Sequence, residues 1–371
     1  MKKEIALLCP GLDNTRGGYE THIRLLFENL TRDSSSKYKF TLFKGTGVKK
    51  DNEIVLKTFS RSSVLILFFC RIIRNFMFAY YFEAFFFSMK FILYVIFLNK
   101  KYHKIAVIDP FAAKFLMKFK ILLLGKPTII FTHSITMSPD KYEKLGDIFH
   151  QVNIENYNNQ QKYFKKKQIS KKVYLIPHFV NDIDQSKFSK YKLREKYGVK
   201  TEKILLSVGH IDADVKNMDY VIREAAKLPC DWTLFLVGVV YDKRLIDLGI
   251  RLLGNRFIHQ SVPLEIMPEI YALPDLFVLA SFNEGFGIVI IEAMRAGLPV
   301  ILHNREIFRW ILKDDTTCID MSKPGNLANF IMNNLENNRN FLKRKSQQNL
   351  SIFKEKYSWE SNKYRYTKLY E

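Results

Sequence analysis

The chain is poor in cysteine and short of acid. Its 371 residues include four cysteines, Cys9, Cys70, Cys230 and Cys318, scattered without paired spacing. That excludes a disulfide framework and a cysteine zinc site, and points to a reducing compartment. A long unbroken apolar run is also missing. The greasiest stretch, residues 63–98, includes Val64-Leu-Ile-Leu-Phe-Phe-Cys70, Phe76–Phe82 and Phe91–Leu98, but Arg71, Arg74, Glu83 and Lys90 interrupt it. A bilayer span needs about 20 mostly apolar residues, and a charge at its centre costs about 2.5–3.5 kcal/mol. A span is therefore not expected. A signal peptide is not expected either, since Met1-Lys-Lys runs at once into Ile5-Ala-Leu-Leu-Cys9, a first strand too short for an h-region. Zinc-finger spacings and RNP-type aromatic motifs are absent, which argues against nucleic acid as a partner.

What the chain has in excess is positive charge. Lysine and arginine number 58 against 37 acids, a net charge of +21. Nucleic acid, anionic lipid and acidic substrates all answer such a charge. Lipid fits best, because the greasy stretch is followed directly by Lys100, Lys101 and Lys104. Residues 63–98 have two compatible readings: a pair of buried helices, or a surface that dips into one leaflet with its cations on headgroups.

The length suggests two domains. Strand-like runs at Ile5–Cys9, Phe40–Phe43, Ile105–Ile108, Thr128–Phe131 and Val173–Ile176 alternate with helical patterns such as Tyr19–Leu30 and Ala112–Leu124. This alternation predicts a parallel sheet with helices on both faces over residues 1–180. A polar stretch to about Lys200 reads as a linker. From Ile204-Leu-Leu-Ser-Val-Gly209 the alternation starts again, which predicts a second such domain over 201–355, followed by a terminal helix over 356–371.

The densest chemistry lies in Ser281-Phe-Asn-Glu284-Gly285-Phe286-Gly287, followed by Glu292-Ala-Met and Gly297-Leu-Pro299. The strand pattern Leu276–Ala280 precedes it and the apolar Ile288-Val-Ile-Ile follows. Strand, glycine loop and helix with an acid on it form a unit that cradles a nucleotide, because the helix start is an anion site. Glu284 and Glu292 stand eight positions apart. This stretch closely resembles the E-x7-E signature of the family 4 retaining glycosyltransferases.

The resemblance implies an α/β chain of the GT-B fold: two Rossmann-like, doubly wound domains facing a cleft, with a C-terminal helix crossing back to the N-terminal domain. Tyr357-Ser358-Trp359 is similar to the element that begins that helix. In the family, Glu284 and the amides of Gly285, Phe286, Gly287 and Ile288 would hold the donor sugar and phosphate, and Glu292 the ribose. Gly17 and Gly18, at a helix start after the first strand, would let backbone amides approach a phosphate. Gly209-His210 with Lys216 resembles the family's Gly-Arg and Lys, which hold the diphosphate. His210 departs from that pattern, standing where arginine is expected. His133, in Ile129-Ile-Phe-Thr-His133, matches a histidine that contacts the donor sugar. Ile258 and Ser261 would line the base pocket, largely through main-chain atoms. Catalytic roles would fall to Glu284, Lys216 and His133. Asp212-Ala-Asp214 has the form of a metal-binding pair, but the family requires no metal, so the two read as loop acids.

The implied activity is a retaining, metal-independent transfer from a UDP- or GDP-linked sugar, with no cofactor, to a glycan or lipid-linked acceptor. Composition and resemblance together suggest bacterial cell-surface polysaccharide or glycolipid synthesis. The expected place is the cytoplasm, peripheral on the inner face of the plasma membrane. Two rivals stay open: a non-hydrolysing UDP-sugar 2-epimerase and a catalytically weak, membrane-docked partner subunit.

Overall fold

The computed structural model describes residues 2–14, 17–33, 37–61, 63–75, 77–133, 137–336 and 339–371. Met1 and Phe76, quoted above, lie outside them. The chain divides into two compact units, Met1–His178 with Lys363–Glu371, and Phe179–Asn362. The stretch read as a linker carries a helix, Lys190–Lys196, in the second unit.

Unit 1 holds a seven-stranded sheet in the order β3-β2-β1-β4-β5-β6-β7. The strands are β1 (Lys3–Cys9), β2 (Tyr38–Lys44), β3 (Glu53–Val55), β4 (Lys104–Val107), β5 (Thr128–His133), β6 (Ile148–Gln151) and β7 (Lys172–Leu175). Every neighbouring pair is parallel. Buried parallel strands read as apolar runs, which is why β1, β4 and β5 were legible. Short β3 and His-Gln-ended β6 were not.

Unit 2 holds a six-stranded parallel sheet in the order β10-β9-β8-β11-β12-β13. Its strands are β8 (Lys203–Val208), β9 (Trp232–Val237), β10 (Phe257–Gln260), β11 (Leu276–Leu279), β12 (Val300–His303) and β13 (Cys318–Ile319). In both sheets the order reverses at one place, beside β1 in unit 1 and beside β8 in unit 2. Ligands of doubly wound folds bind at the strand C-termini beside such a reversal.

Four helices of unit 1 matter here: α1 (Gly18–Arg32), α2 (Val64–Ile73), α3 (Met77–Phe97) and α4 (Pro110–Lys118). The charges expected to break up the greasy stretch are distributed differently in the structure. Arg71 and Arg74 fall at the end of α2, so α3 runs unbroken for 21 residues with only Glu83 and Lys90 in it. Among the described residues α3 is long and apolar enough to cross a membrane. One of its faces nevertheless packs on the sheet through Ala84, Phe87, Phe91 and Val95. Each phenylalanine so buried contributes about 1.5–3 kcal/mol. Glu83 faces inward too, ion-paired with Arg61 at 3.4 Å.

The last helix, Trp359–Tyr370, begins after Ser358, whose hydroxyl accepts from the Ser361 amide at 3.2 Å. Its end belongs to unit 1, where the buried Tyr366 hydroxyl donates to the Pro177 carbonyl at 3.0 Å and lies 3.1 Å from His22 Nε2. The His22 and His178 rings lie with their centroids 3.9 Å apart, tilted by 50°. Burial lowers His150 to about 4 and, with His150 beside it, His178 to about 3. Unfolded histidines take up protons near pH 6.5, whereas these do so only near pH 3–4. The unfolded state therefore binds more protons in between, and stability falls as pH drops through 6.5. His150→Gln is expected to flatten the dependence of unfolding free energy on pH by up to about 1.4 kcal/mol per pH unit between pH 6 and 4.5. Urea melts at several pH values measure this, and a slope equal to wild type would contradict it.

Candidate active site

In unit 2 the loops after β8 and β11 leave the sheet at its reversal. Each carries part of the sequence-derived constellation. Gly209 follows β8, and Gly238 follows β9 beside it. A Cβ on Gly238 would lie 1.7 Å from the Gly209 carbonyl oxygen, so only glycine fits. A Cβ on Gly209 would meet Lys216 Cε at 3.2 Å, which shows the lysine stem lying against the glycine. The turn between them is fixed by Asp212, whose Oδ1 accepts from the Val215 and Lys216 amides at 2.7 and 2.9 Å. Asp212 Oδ1 is thereby tied to its own loop's backbone, while Asp214 is exposed. Asn217, left-handed at φ 55°, closes the turn. Its side-chain amide donates to the Met321 carbonyl at 3.3 Å and reaches the Ala280 carbonyl at 3.5 Å. That bond ties the β8 loop to the β11 loop.

The β11 loop runs to Gly287, which is left-handed at φ +86° and stands at the start of the helix Ile288–Arg295. Gly287 supplies no side-chain cap, and its carbonyl accepts from the Ile290 amide at 2.9 Å; a helix start of this kind favours negative charge beside it. Beside this start, Lys216 Nζ meets Glu284 Oε2 at 2.5 Å, both side chains 16% exposed. Phe286 turns inward against Trp310 and Tyr357, leaving only its backbone to the loop's outer side.

Glu292, on the same helix, is half-buried and accepts from the Tyr271 hydroxyl at 2.9 Å. Burial raises its carboxyl pKa, opposed by Arg295 and by the Tyr271 hydrogen bond. Arg295 is itself buried and donates to the Asn181 carbonyl at 3.0 Å. His210 is exposed, its ring 4.6 Å from that of Tyr241. Partial burial and the Lys216 charge hold its pKa below the usual histidine value, so it is neutral at pH 7. Ile258 and Ser261 lie on and just after β10, the sheet's edge strand, half-buried and exposed respectively.

Gly17, Gly18 and His133 belong to unit 1. Gly17 precedes α1 after β1, and a Cβ there would collide with a Glu20 carboxylate oxygen at 2.3 Å. That carboxylate is turned inward onto Arg61 at 3.0 Å. His133 ends β5 and is fully buried. Its Nδ1 lies 2.9 Å from Gln151 Oε1, and its ring 4.2 Å from that of Tyr142. Burial drives its pKa down to about 4, against the Gln151 hydrogen bond. It is a neutral hydrogen-bonding group, not a proton carrier, at pH 7.

Tyr271, Arg295 as a neighbour of Glu292, and Arg61 were not found from the sequence as site or support residues. Tyr271 lies in an ordinary apolar helical pattern, and no spacing links Arg61 to Glu20 and Glu83.

Residues 189–353 match the model of the family described as Glycosyl transferases group 1. Alpha-D-kanosaminyltransferase from Streptomyces kanamyceticus is 30% identical over 163 residues, 41% of this chain and 40% of that protein. Lipopolysaccharide glucosyltransferase WaaG from Escherichia coli K12 is 33% identical over 113 residues, 29% of this chain and 30% of that protein. The chain thus spans less than half the length of the curated relatives it matches. The crystal structure of Anabaena Alr3699/HepE in complex with UDP and glucose superposes with a TM-score of 0.71 at 17% identity, covering 99% of both chains. The matched region contains Gly209, Lys216, Glu284 and Glu292 and lies wholly within unit 2, so the likeness to the group 1 glycosyl transferases rests on the unit that carries these residues, in a chain of the GT-B fold.

Proposed function

We propose that the chain is a retaining glycosyltransferase that uses a nucleotide-diphosphate sugar, UDP- or GDP-linked, without a metal. The observation that carries this reading is the Lys216–Glu284 pair beside the open helix start at Gly287. In this pair each group neutralises the other. A diphosphate reaching the helix start would draw Lys216 to its oxygens and free Glu284 to accept hydrogen bonds from the sugar. Glu292 would accept from the ribose. Gly17, Gly18 and His133 keep the donor-binding roles that the family resemblance assigns them.

In the transfer, the bond from the sugar's anomeric carbon to the diphosphate breaks and one to the acceptor hydroxyl forms on the same face. The acceptor's proton passes to the leaving diphosphate. The protein's part is placement and charge stabilisation. The acceptor is a glycan or lipid-linked sugar of a bacterial surface polysaccharide or glycolipid, met at the inner face of the membrane. Support for that comes from the similarity to a lipopolysaccharide glucosyltransferase and from the cationic, apolar surface of unit 1.

Calorimetric titration with UDP and GDP, each with magnesium and with EDTA, tests the donor site. Binding unaffected by EDTA and weakened at least tenfold in Glu292→Ala is expected. Binding that requires magnesium would overturn the metal-free reading, and an unchanged Glu292→Ala would remove Glu292 from the site. Proton NMR of the product's anomeric configuration tests retention, and inversion would refute it.

A further inference from the structure

The surface of unit 1 outside its core contains a groove that the donor chemistry does not use. One wall is a stripe on α3, Phe85, Met89, Leu93 and Ile96. The other is formed by Phe115 on α4, Phe119 after it, and Leu122 in the 3-10 turn Lys120–Leu122. The floor is Ser88 and Ile92, both buried. The enclosed volume is ≈ 260 Å³. Phe85 and Phe115 meet with ring centroids 5.2 Å apart, bringing the two walls together at that end. From Phe85 to Ile96 the stripe is about 16 Å long at 1.5 Å per residue. That is the depth of one leaflet, about half of a 30 Å hydrocarbon core.

The charges around the groove select its occupant. Between residues 63 and 126 the only acids are Glu83 and Asp109. Both are buried, 2% and 5% exposed. Every exposed charge in this span is therefore cationic. Lys114 and Lys118 project from α4, and Lys118 Nζ lies 5.5 Å over the Phe119 ring that lines the groove. Such a lysine lays its stem on apolar surface and holds its ammonium at headgroup level. Ile121, 91% exposed, extends the apolar surface beyond the turn.

We propose that this groove takes a single acyl chain of an anionic membrane phospholipid, with the lipid phosphate on the lysines of α4. This rests on the membrane-surface reading above and sharpens it: α3 and α4 do not merely rest on headgroups but draw one lipid chain between them. Unit 1 would thereby be held at a fixed depth and orientation.

The test uses the full chain with phosphatidylglycerol and phosphatidylcholine vesicles at low salt. Phe115→Trp places a reporter in the groove wall, while the native Trp232, Trp310 and Trp359 all lie in unit 2. The added fluorescence is expected to be quenched by phosphatidylglycerol brominated at mid-chain. Met89→Asp/Leu93→Asp, on the exposed side of α3, is expected to weaken cosedimentation with phosphatidylglycerol at least tenfold, with circular dichroism melting to check that the variant folds. Wild-type binding with no quenching, or with an unaffected double variant, would refute the groove and leave the membrane reading standing. Absence of wild-type binding to phosphatidylglycerol would refute both. A dimer in light scattering that the double variant dissolves would assign the groove to a second copy and overturn the lipid assignment.

Discussion

Lys216→Ala is expected to lower turnover by about 10²–10³-fold, the usual effect of removing one preorganised group that stabilises a developing negative charge. Two causes combine. The leaving diphosphate loses its cation, and Glu284, now without its 2.5 Å partner, is left as an uncompensated anion beside the phosphate site. Because the lysine acts on the diphosphate, affinity for a nucleoside diphosphate should fall sharply while that for the parent nucleoside stays nearly constant. Glu284→Gln keeps hydrogen bonding but loses charge, so it should impair sugar transfer more than diphosphate binding. Steady-state kinetics with titrations of both ligands separates these effects. A Lys216→Ala enzyme within threefold of wild type would remove the lysine from the reaction.

The second large effect concerns stability. Arg61 is 8% exposed and holds two carboxylates, Glu20 at 3.0 Å and Glu83 at 3.4 Å, with its guanidinium 4.5 Å from the Tyr80 ring. It connects the start of α1 to α3. Burial raises the Glu83 pKa even with Arg61 beside it. Arg61→Ala strands these acids in the interior, and breaking a buried pair in this way costs about 3–5 kcal/mol. Arg61→Met with Glu20→Gln and Glu83→Gln removes the arginine together with both of its paired carboxylates, leaving Asp109 as a buried acid, and should recover most of that loss. Denaturant melts of the two variants check this. Equal destabilisation would mean that the guanidinium's packing, and not its charge, holds the helices.

Much of the fold was legible because it follows from local pattern. The apolar runs of β1, β4, β5, β8 and β11 are short and flanked by glycine or polar loops, as fully buried parallel strands require. The glycine loop at Ser281–Gly287 announced an anion site because a helix start offers unpaired amides whatever surrounds it. Glu83 shows where such reading stops. In the sequence it is a charge that breaks an apolar run, but in the fold it is the inward partner of an arginine 22 residues away. Pairing at that distance leaves no periodic trace.

The sequence by itself determined two doubly wound units, the positions of the strand-end loops, and a surface rich in cations. Residue type and spacing suffice for these, since they depend on contacts within a few residues. Only the tertiary structure decided that Lys216 pairs with Glu284, that Glu292 accepts from Tyr271 within the field of Arg295, and that one face of α3 is core while the other lines a groove. Those facts depend on which strands lie side by side and on how deeply each side chain is removed from water, and both are set by the packing of distant segments.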